Sequence, residues 1–141
     1  LAAHLLKKEL WQADDEATFQ QVRTIISKTL AHHHSDASLL HGDLWGGNYM
    51  FTADGQPALI DPAAVYGDRE LDIGVTTVFG GFTQDFYTAY QEVYPLDAGY
   101  HFRLDFYRLY YLMVHLDKFG MGYAGSVATV MNQILDHGLA E

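Results

Sequence analysis

Residues 41–48 read HGDLWGGN, and residues 59–62 read LIDP. In the first stretch the acid Asp43 and the amide Asn48 stand five positions apart among three glycines, with only Leu44 and Trp45 able to pack a core. Such glycine-rich composition marks a loop. Between the two stretches, NYMFTADGQPALID has β-favouring runs on either side of Asp54-Gly55, a strong hairpin signal. With Asp54 and Gly55 as a two-residue turn, paired residues have numbers summing to 109, and Asn48 faces Asp61. Directly opposed residues have Cβ atoms about 5 Å apart, so an amide oxygen and a carboxylate there could share one cation. A three-residue turn would displace that pairing by one position. Asp43 lies just upstream, on the loop feeding the same end of the ribbon. Two carboxylates and an amide oxygen form the oxygen-rich set that a hard cation such as Mg²⁺ prefers. The chemistry these residues point to is metal plus phosphate.

The elements that must position them are mostly helical. Residues 14–31 form an amphipathic pattern, with Asp14 or Asp15 as cap and Phe19, Val22, Ile26 and Leu30 on one face. AHHHSDAS then ends the helix. After the hairpin, helical patterns return over 71–79, 83–93, 100–119 and 124–137, separated by GG, YPLDAG and FGMGY. The expected fold class is mainly α with a small β-hairpin, an α+β arrangement. No repeat, low-complexity run or linker is visible, so one domain is expected over residues 1–141.

Composition narrows the partners. A formal charge of −10 with only eight Lys and Arg residues argues against a nucleic-acid partner, because neutralising phosphates needs a basic surface. No apolar run reaches membrane-spanning length, and the opening LAAHLLKKEL is too charged for a signal peptide core. The chain is read as having no membrane partner and a cytoplasmic location. The absence of cysteine excludes disulfides and thiolate metal sites. Residue 1 is Leu rather than Met, which is read as the start of a piece cut or processed from something longer.

Enzymes of the kinase type carry a catalytic loop H-R-D-x-x-x-x-N followed by a metal-binding Asp, and HGDLWGGN with LIDP matches that pattern with Gly in place of Arg. The substitution resembles the small-molecule kinases of the aminoglycoside phosphotransferase type. With Trp45, IDPAAVYGDRELDI and HLDKFGMGY added, the chain is most similar to the fructosamine kinase (ketosamine-3-kinase) family, across nearly its whole length. The resemblance implies that Asp43 is the catalytic base toward a sugar hydroxyl. It also implies that Asn48 and Asp61 are Mg²⁺ ligands and that ATP is the co-substrate. The implied fold is the C-terminal lobe of a protein-kinase-like enzyme, and the implied partner is a ketoamine small molecule or glycated protein.

Other residues take supporting or open readings. His41 is expected to hold the loop through a hydrogen bond. Trp45 reads equally as a stacking surface for a sugar and as a core anchor. Asp72 stands where a helix N-cap belongs, and in kinase-like folds the resembling residue braces the catalytic loop. Asp68 and Glu70 are given no role; with Asp43, Asp61 and Asp72 they make five acids against the single cation Arg69. The consecutive imidazoles of His32, His33 and His34 point in different directions and are read as a solvated helix end. GMGYAG spells G-x-G-x-x-G, but Phe102, Phe106, Leu109, Met113 and Leu116 before it recur at helical spacing. Gly120 is therefore read as a helix C-cap instead of a nucleotide loop.

A kinase-like enzyme also needs an N-terminal nucleotide lobe with a phosphate-pairing Lys. The lysines here, Lys7, Lys8, Lys28 and Lys118, all fall in helical segments. The expectation is a catalytic lobe without that partner lobe, inactive by itself and able to self-associate through an uncovered apolar face. Other acceptors (aminoglycoside, choline or homoserine) and a non-catalytic binding module are the competing functions.

Overall fold

The computed structural model describes residues 1–140. They divide into two compact units: residues 1–34 together with the chain from 101 onward, and residues 35–100. The sequence reading places no boundary there, because the first unit is assembled from both ends of the chain by helix packing that leaves no composition shift to read. Among the described residues no helix is long and apolar enough to cross a membrane.

The first unit is helical. It holds α1 (Ala2–Lys7), α2 (Ala13–Ala31), nearly all of α5 (Tyr100–Phe119) and α6 (Ala124–Ala140). The sequence reading puts Lys7 and Lys8 in a helical segment without giving its bounds; α1 ends at Lys7 with Lys8 as its C-cap residue, and Leu5 is fully buried. α2 starts earlier than an Asp14 or Asp15 cap implies, with Gln12 as the N-cap. Asp15 instead sits one turn inside, where its Oδ2 accepts the Gln12 N–H at 2.8 Å, one half of a capping box. Val22 is fully buried, while Phe19, Ile26 and Leu30 of the expected face are half-buried. On α6, a Cβ at Gly138 would stand 2.7 Å from Ile25 of α2, so glycine there permits the close approach of the two helices.

Phe102, Phe106, Leu109, Met113 and Leu116 are all buried, as their helical spacing requires. Gly120 ends α5 with φ +89°, its N–H donating to the Leu116 carbonyl at 2.9 Å. A short 3₁₀ turn over Met121–Tyr123 leads into α6, so GMGYAG joins two helices and follows no strand. α1 and α5 are tied by charge. Lys8 Nζ donates to the Asp117 carbonyl at 2.8 Å and pairs with its Oδ1 at 2.9 Å, where His4 Nδ1 also approaches to 2.8 Å. The Lys8 hydrogen bond, with the nearby His4 charge, holds the Asp117 carboxyl below the usual carboxylate range.

The second unit is built from two small antiparallel ribbons and two helices. β1 (Ser38–Leu40) pairs with β4 (Val65–Gly67), β2 (Tyr49–Phe51) pairs with β3 (Pro57–Leu59), and α3 (Glu70–Thr76) and α4 (Gln84–Val93) follow. The sequence reading contains the second ribbon only. The β1–β4 pair joins segments 27 residues apart, from Ser38↔Gly67 to Leu40↔Val65, and has no local turn to announce it.

The expected register of the hairpin is corrected by one residue. Tyr49 pairs with Leu59 and Phe51 with Pro57, so partner numbers sum to 108 and Asn48 faces Ile60, whose N–H donates to the Asn48 carbonyl at 3.0 Å. The loop has three residues. Thr52 N–H donates to the Gln56 carbonyl at 2.8 Å, Gly55 N–H closes onto the Thr52 carbonyl at 2.9 Å, and Gly55 takes φ +82°. That is the next most common hairpin loop, with glycine in its left-handed position, and an Asp-Gly pair serves it as readily as the two-residue turn. The Thr52 hydroxyl also bonds the Asp54 carboxylate and holds it below the usual carboxylate range.

Candidate active site

The loop between β1 and β2 carries His41, Asp43, Trp45 and Asn48, and its backbone is held from three directions. The Asp72 carboxylate accepts the His41 N–H at 2.8 Å on one oxygen and the Gly42 N–H at 2.9 Å on the other. Asp72 does so from the third position of α3, with Arg69 as that helix's N-cap residue, which corrects the expectation of Asp72 as the cap. The helix starts earlier because Asp68 Oδ1 accepts the Glu70 N–H at 2.9 Å, supplying the capping interaction from outside. Both Asp72 oxygens are thereby left for the loop.

His41 ties the loop to the end of the hairpin. Its Nε2 lies 2.7 Å from the Ile60 carbonyl, and its Nδ1 accepts the Asp43 N–H at 3.2 Å. A carbonyl can only accept and an amide N–H can only donate, so the ring is the neutral tautomer with its hydrogen on Nε2. One imidazole thus connects the backbone of Asp43 to the residue just before Asp61.

Asn48 is buried, at 6% exposure, in a single 3₁₀ turn over Gly46–Asn48. Its Nδ2 donates to the Asp43 carbonyl at 2.9 Å and to Asp43 Oδ2 at 3.2 Å. Both partners are acceptors, which fixes the amide orientation and turns Oδ1 away with no hydrogen bond of its own. Asp61 is exposed and takes φ +50°, a left-handed conformation uncommon outside glycine that is tolerated best by Asn and Asp. Strain of this kind concentrates at functional sites. The one-residue correction of register leaves Asp61 beyond the ladder, where the chain turns.

At two of the three motif glycines a Cβ would clash with what now surrounds it. A Cβ at Gly42, where φ is +85°, would lie 2.0 Å from the Ala63 carbonyl oxygen. At Gly47 it would lie 2.3 Å from the Trp45 ring. That ring is 40% exposed, so Trp45 is no core anchor, whereas its neighbour Leu44 is buried. The hairpin is fixed to the following segment through Tyr49, whose hydroxyl donates to the Gly81 carbonyl at 2.6 Å and whose ring meets Phe82 at 5.1 Å.

Arg69 behaves unlike the lone counterion suggested by its acidic surroundings. Its guanidinium stacks on the Tyr94 ring at 3.6 Å and donates to the Tyr94 carbonyl at 2.6 Å and the Pro95 carbonyl at 2.5 Å. Arg69 is thereby turned toward the 94–95 carbonyls and away from a pairing with its acidic chain neighbours. Sequence spacing gives no sign of this contact, nor of Tyr49 reaching Gly81. At the end of α2, His32 is the C-cap residue with Nδ1 against the Lys28 carbonyl at 2.9 Å.

Comparison with known proteins bears on what this loop belongs to. The sequence model of the fructosamine kinase family matches residues 3–137. The chain belongs to the fructosamine kinase family. Among its curated relatives, a "Probable ketoamine kinase" of Staphylococcus aureus is 60% identical over 135 residues, covering 96% of this chain and 47% of the relative. The "Protein-ribulosamine 3-kinase, chloroplastic" of Arabidopsis thaliana is 37% identical over 127 residues, covering 88% of this chain and 39% of the relative. A crystal structure assigned as a fructosamine-3-kinase, from Thermobifida fusca, superposes with a TM-score of 0.85 at 29% identity, over 95% of this chain and 46% of that one. The chain thus spans less than half the length of these relatives. The family and the α+β class match the sequence reading, with the β1–β4 ribbon as an addition.

Proposed function

We infer that this chain is the catalytic, acceptor-binding lobe of an ATP-dependent kinase that phosphorylates a sugar hydroxyl of ketoamines, of the fructosamine or ribulosamine 3-kinase type. The observation that carries the chemistry is the Asn48 amide. With both its N–H groups committed to Asp43, it presents a free carbonyl oxygen from a buried position beside a carboxylate. The acceptor class is supported by the family and by the names of the relatives.

In this reading Asp43 accepts the proton of the attacking hydroxyl as the oxygen bonds to the terminal phosphorus of ATP and the bond to ADP breaks. His41 and Asp72 hold the backbone on either side of Asp43, which limits its travel relative to the acceptor. Asn48 Oδ1 and Asp61 would hold Mg²⁺; an all-oxygen donor set fits that ion, and it would screen the phosphate charge that these acids repel. Trp45, exposed two residues after Asp43, offers a flat surface to the acceptor.

The chain spans less than half the length of its relatives, which supports placing the nucleotide lobe in the remainder and expecting no ATP turnover from these 141 residues alone. Exposed Leu39, Met50, Phe51, Leu59 and Tyr66 on the two ribbons support a surface made to be covered, and self-association of the isolated chain follows from leaving it bare.

The test is phosphate transfer by the complete polypeptide, with Mg²⁺ or with chelator, to a panel of a ketoamine, an aminoglycoside, choline and homoserine. Chelator-sensitive transfer to the ketoamine alone is expected. Transfer to another acceptor would overturn the substrate class, and transfer to none would make the chain a binding module.

A further inference from the structure

We propose that Arg69 is a positioning residue for Asp43, acting through α3 and the Asp72 carboxylate; the proposal rests on the kinase reading for its effect on turnover. α3 has seven residues, too few to be stable or fixed in direction by itself. Its orientation is set by packing of its buried residues Ile73, Val75 and Thr76 and by side-chain contacts at its ends. At the C-terminal end the Thr76 hydroxyl meets the Tyr87 hydroxyl at 3.0 Å. At the N-terminal end Arg69 reaches out to the 94–95 carbonyls, beside the Asp68 cap.

Arg69 is bound as a planar fork. Nη1 donates to the Tyr94 carbonyl and lies 3.4 Å from the Tyr90 hydroxyl, Nη2 donates to the Pro95 carbonyl, and Cζ lies 3.6 Å from the centre of the Tyr94 ring. The receiving loop is itself fixed, since the Gln91 side chain accepts the Leu96 N–H at 2.7 Å. Arg69 has Asp68 and Glu70 as chain neighbours, yet its hydrogen bonds go to two neutral carbonyls and a hydroxyl. A contact made for charge would select a carboxylate. One made for geometry selects two acceptors matching the fork and a ring to stack on, which lysine cannot reproduce.

Asp72 lies three residues along the same helix, less than one turn from this anchor, and holds the N–H groups of His41 and Gly42 immediately before Asp43. The connection runs from the 94–96 loop through Arg69, α3 and Asp72 to the backbone of the base. A shift of α3 therefore shifts Asp43, and displacements of about 1 Å at such a group lower turnover by about 10²-fold.

The experiment compares Arg69→Met, Arg69→Lys and Tyr94→Leu in the complete polypeptide, with Asp43→Asn as the control on the kinase reading. Two readouts are taken: amide hydrogen exchange of peptides covering residues 40–44 and 49–59, and kcat with KM for ATP. Arg69→Met, which removes both charge-assisted hydrogen bonds to the 94–95 carbonyls, should speed exchange at His41 and Gly42 by about tenfold or more, while the 49–59 hairpin keeps its protection. It should lower kcat and leave KM for ATP within about twofold. Arg69→Lys should restore less than half of the lost kcat, and Tyr94→Leu, which keeps the arginine but removes its ring, should fall between. Unchanged exchange at 40–44 in all three variants overturns the positioning role, whatever the activity. Faster exchange with unchanged kcat, in a protein that Asp43→Asn inactivates, overturns its catalytic consequence. Active Asp43→Asn protein overturns the kinase reading instead, and the exchange data then judge Arg69 alone. If Arg69→Met does not fold, Tyr94→Leu and Arg69→Lys carry the same comparison.

Discussion

The side-chain amide of Asn48 spends both of its N–H groups on Asp43, one on the main-chain carbonyl and one on the carboxylate. The two motif residues are therefore one hydrogen-bonded unit, and the free Asn48 oxygen is a consequence of where Asp43 stands. Substitutions at the two should not behave independently.

The proposed base and the proposed metal ligands should separate kinetically. In the complete polypeptide, Asp43→Asn should lower kcat by about 10²-fold or more, as loss of a general base does, with Mg²⁺–ATP affinity nearly intact. Asp61→Asn should weaken Mg²⁺–ATP binding in calorimetry. Equal affinities in the two variants would show the roles to be wrongly divided.

Asp72→Ala should loosen the loop without disturbing the hairpin. Two backbone donors lose a charged acceptor, so a stability loss of about 1.5–3 kcal/mol is expected in denaturant melts, together with a fall in kcat. Asp72→Asn should recover only part of this, because its amide can accept on one side and must donate on the other.

Three glycines give a graded series. Gly42→Ala meets the Ala63 carbonyl oxygen at 2.0 Å from a left-handed φ, so it should abolish activity and cost more than about 2 kcal/mol. Gly55→Ala shares the positive φ but meets nothing within 4 Å, and should cost about 1–2 kcal/mol with activity retained. The atoms nearest a Cβ at Gly47 belong to the Trp45 ring, which is half-exposed and can swing away. Gly47→Ala should change KM for the acceptor more than stability.

The acid limb of stability should report Asp117. Its carboxyl is depressed in the folded state, chiefly by the Lys8 hydrogen bond, so its contribution is present above the unfolded pKa and lost as pH falls through the lower folded value. Urea midpoints measured from about pH 6 to about pH 2 should fall less steeply for Asp117→Asn than for the parent chain. Lys8→Met should flatten the same limb, and an unchanged slope in both variants would remove the pair from the acid response.

What the sequence determined by itself is whatever has a local period or a local motif. The helical spacing of Phe102, Phe106, Leu109, Met113 and Leu116 placed α5 and its buried face, because one helix carries all five. The spacing of Asp43, Asn48 and Asp61 is likewise local, because a loop and the hairpin after it hold them within one short segment, and it is what pointed to metal and phosphate chemistry. The three-dimensional structure decided what depends on contacts between distant residues or on choosing between turns of similar local preference. Asp-Gly permits both two-residue and three-residue loops, and the closure of Thr52 on Gln56 selected the latter, moving Asn48 from Asp61 to Ile60. The pairing of Ser38–Leu40 with Val65–Gly67, the Asp72 grip on His41 and Gly42, and the turn of Arg69 toward Tyr94 and Pro95 join residues 25 to 31 positions apart. No local pattern encodes those partners, because each is selected only when folded elements bring a donor within reach of its acceptor.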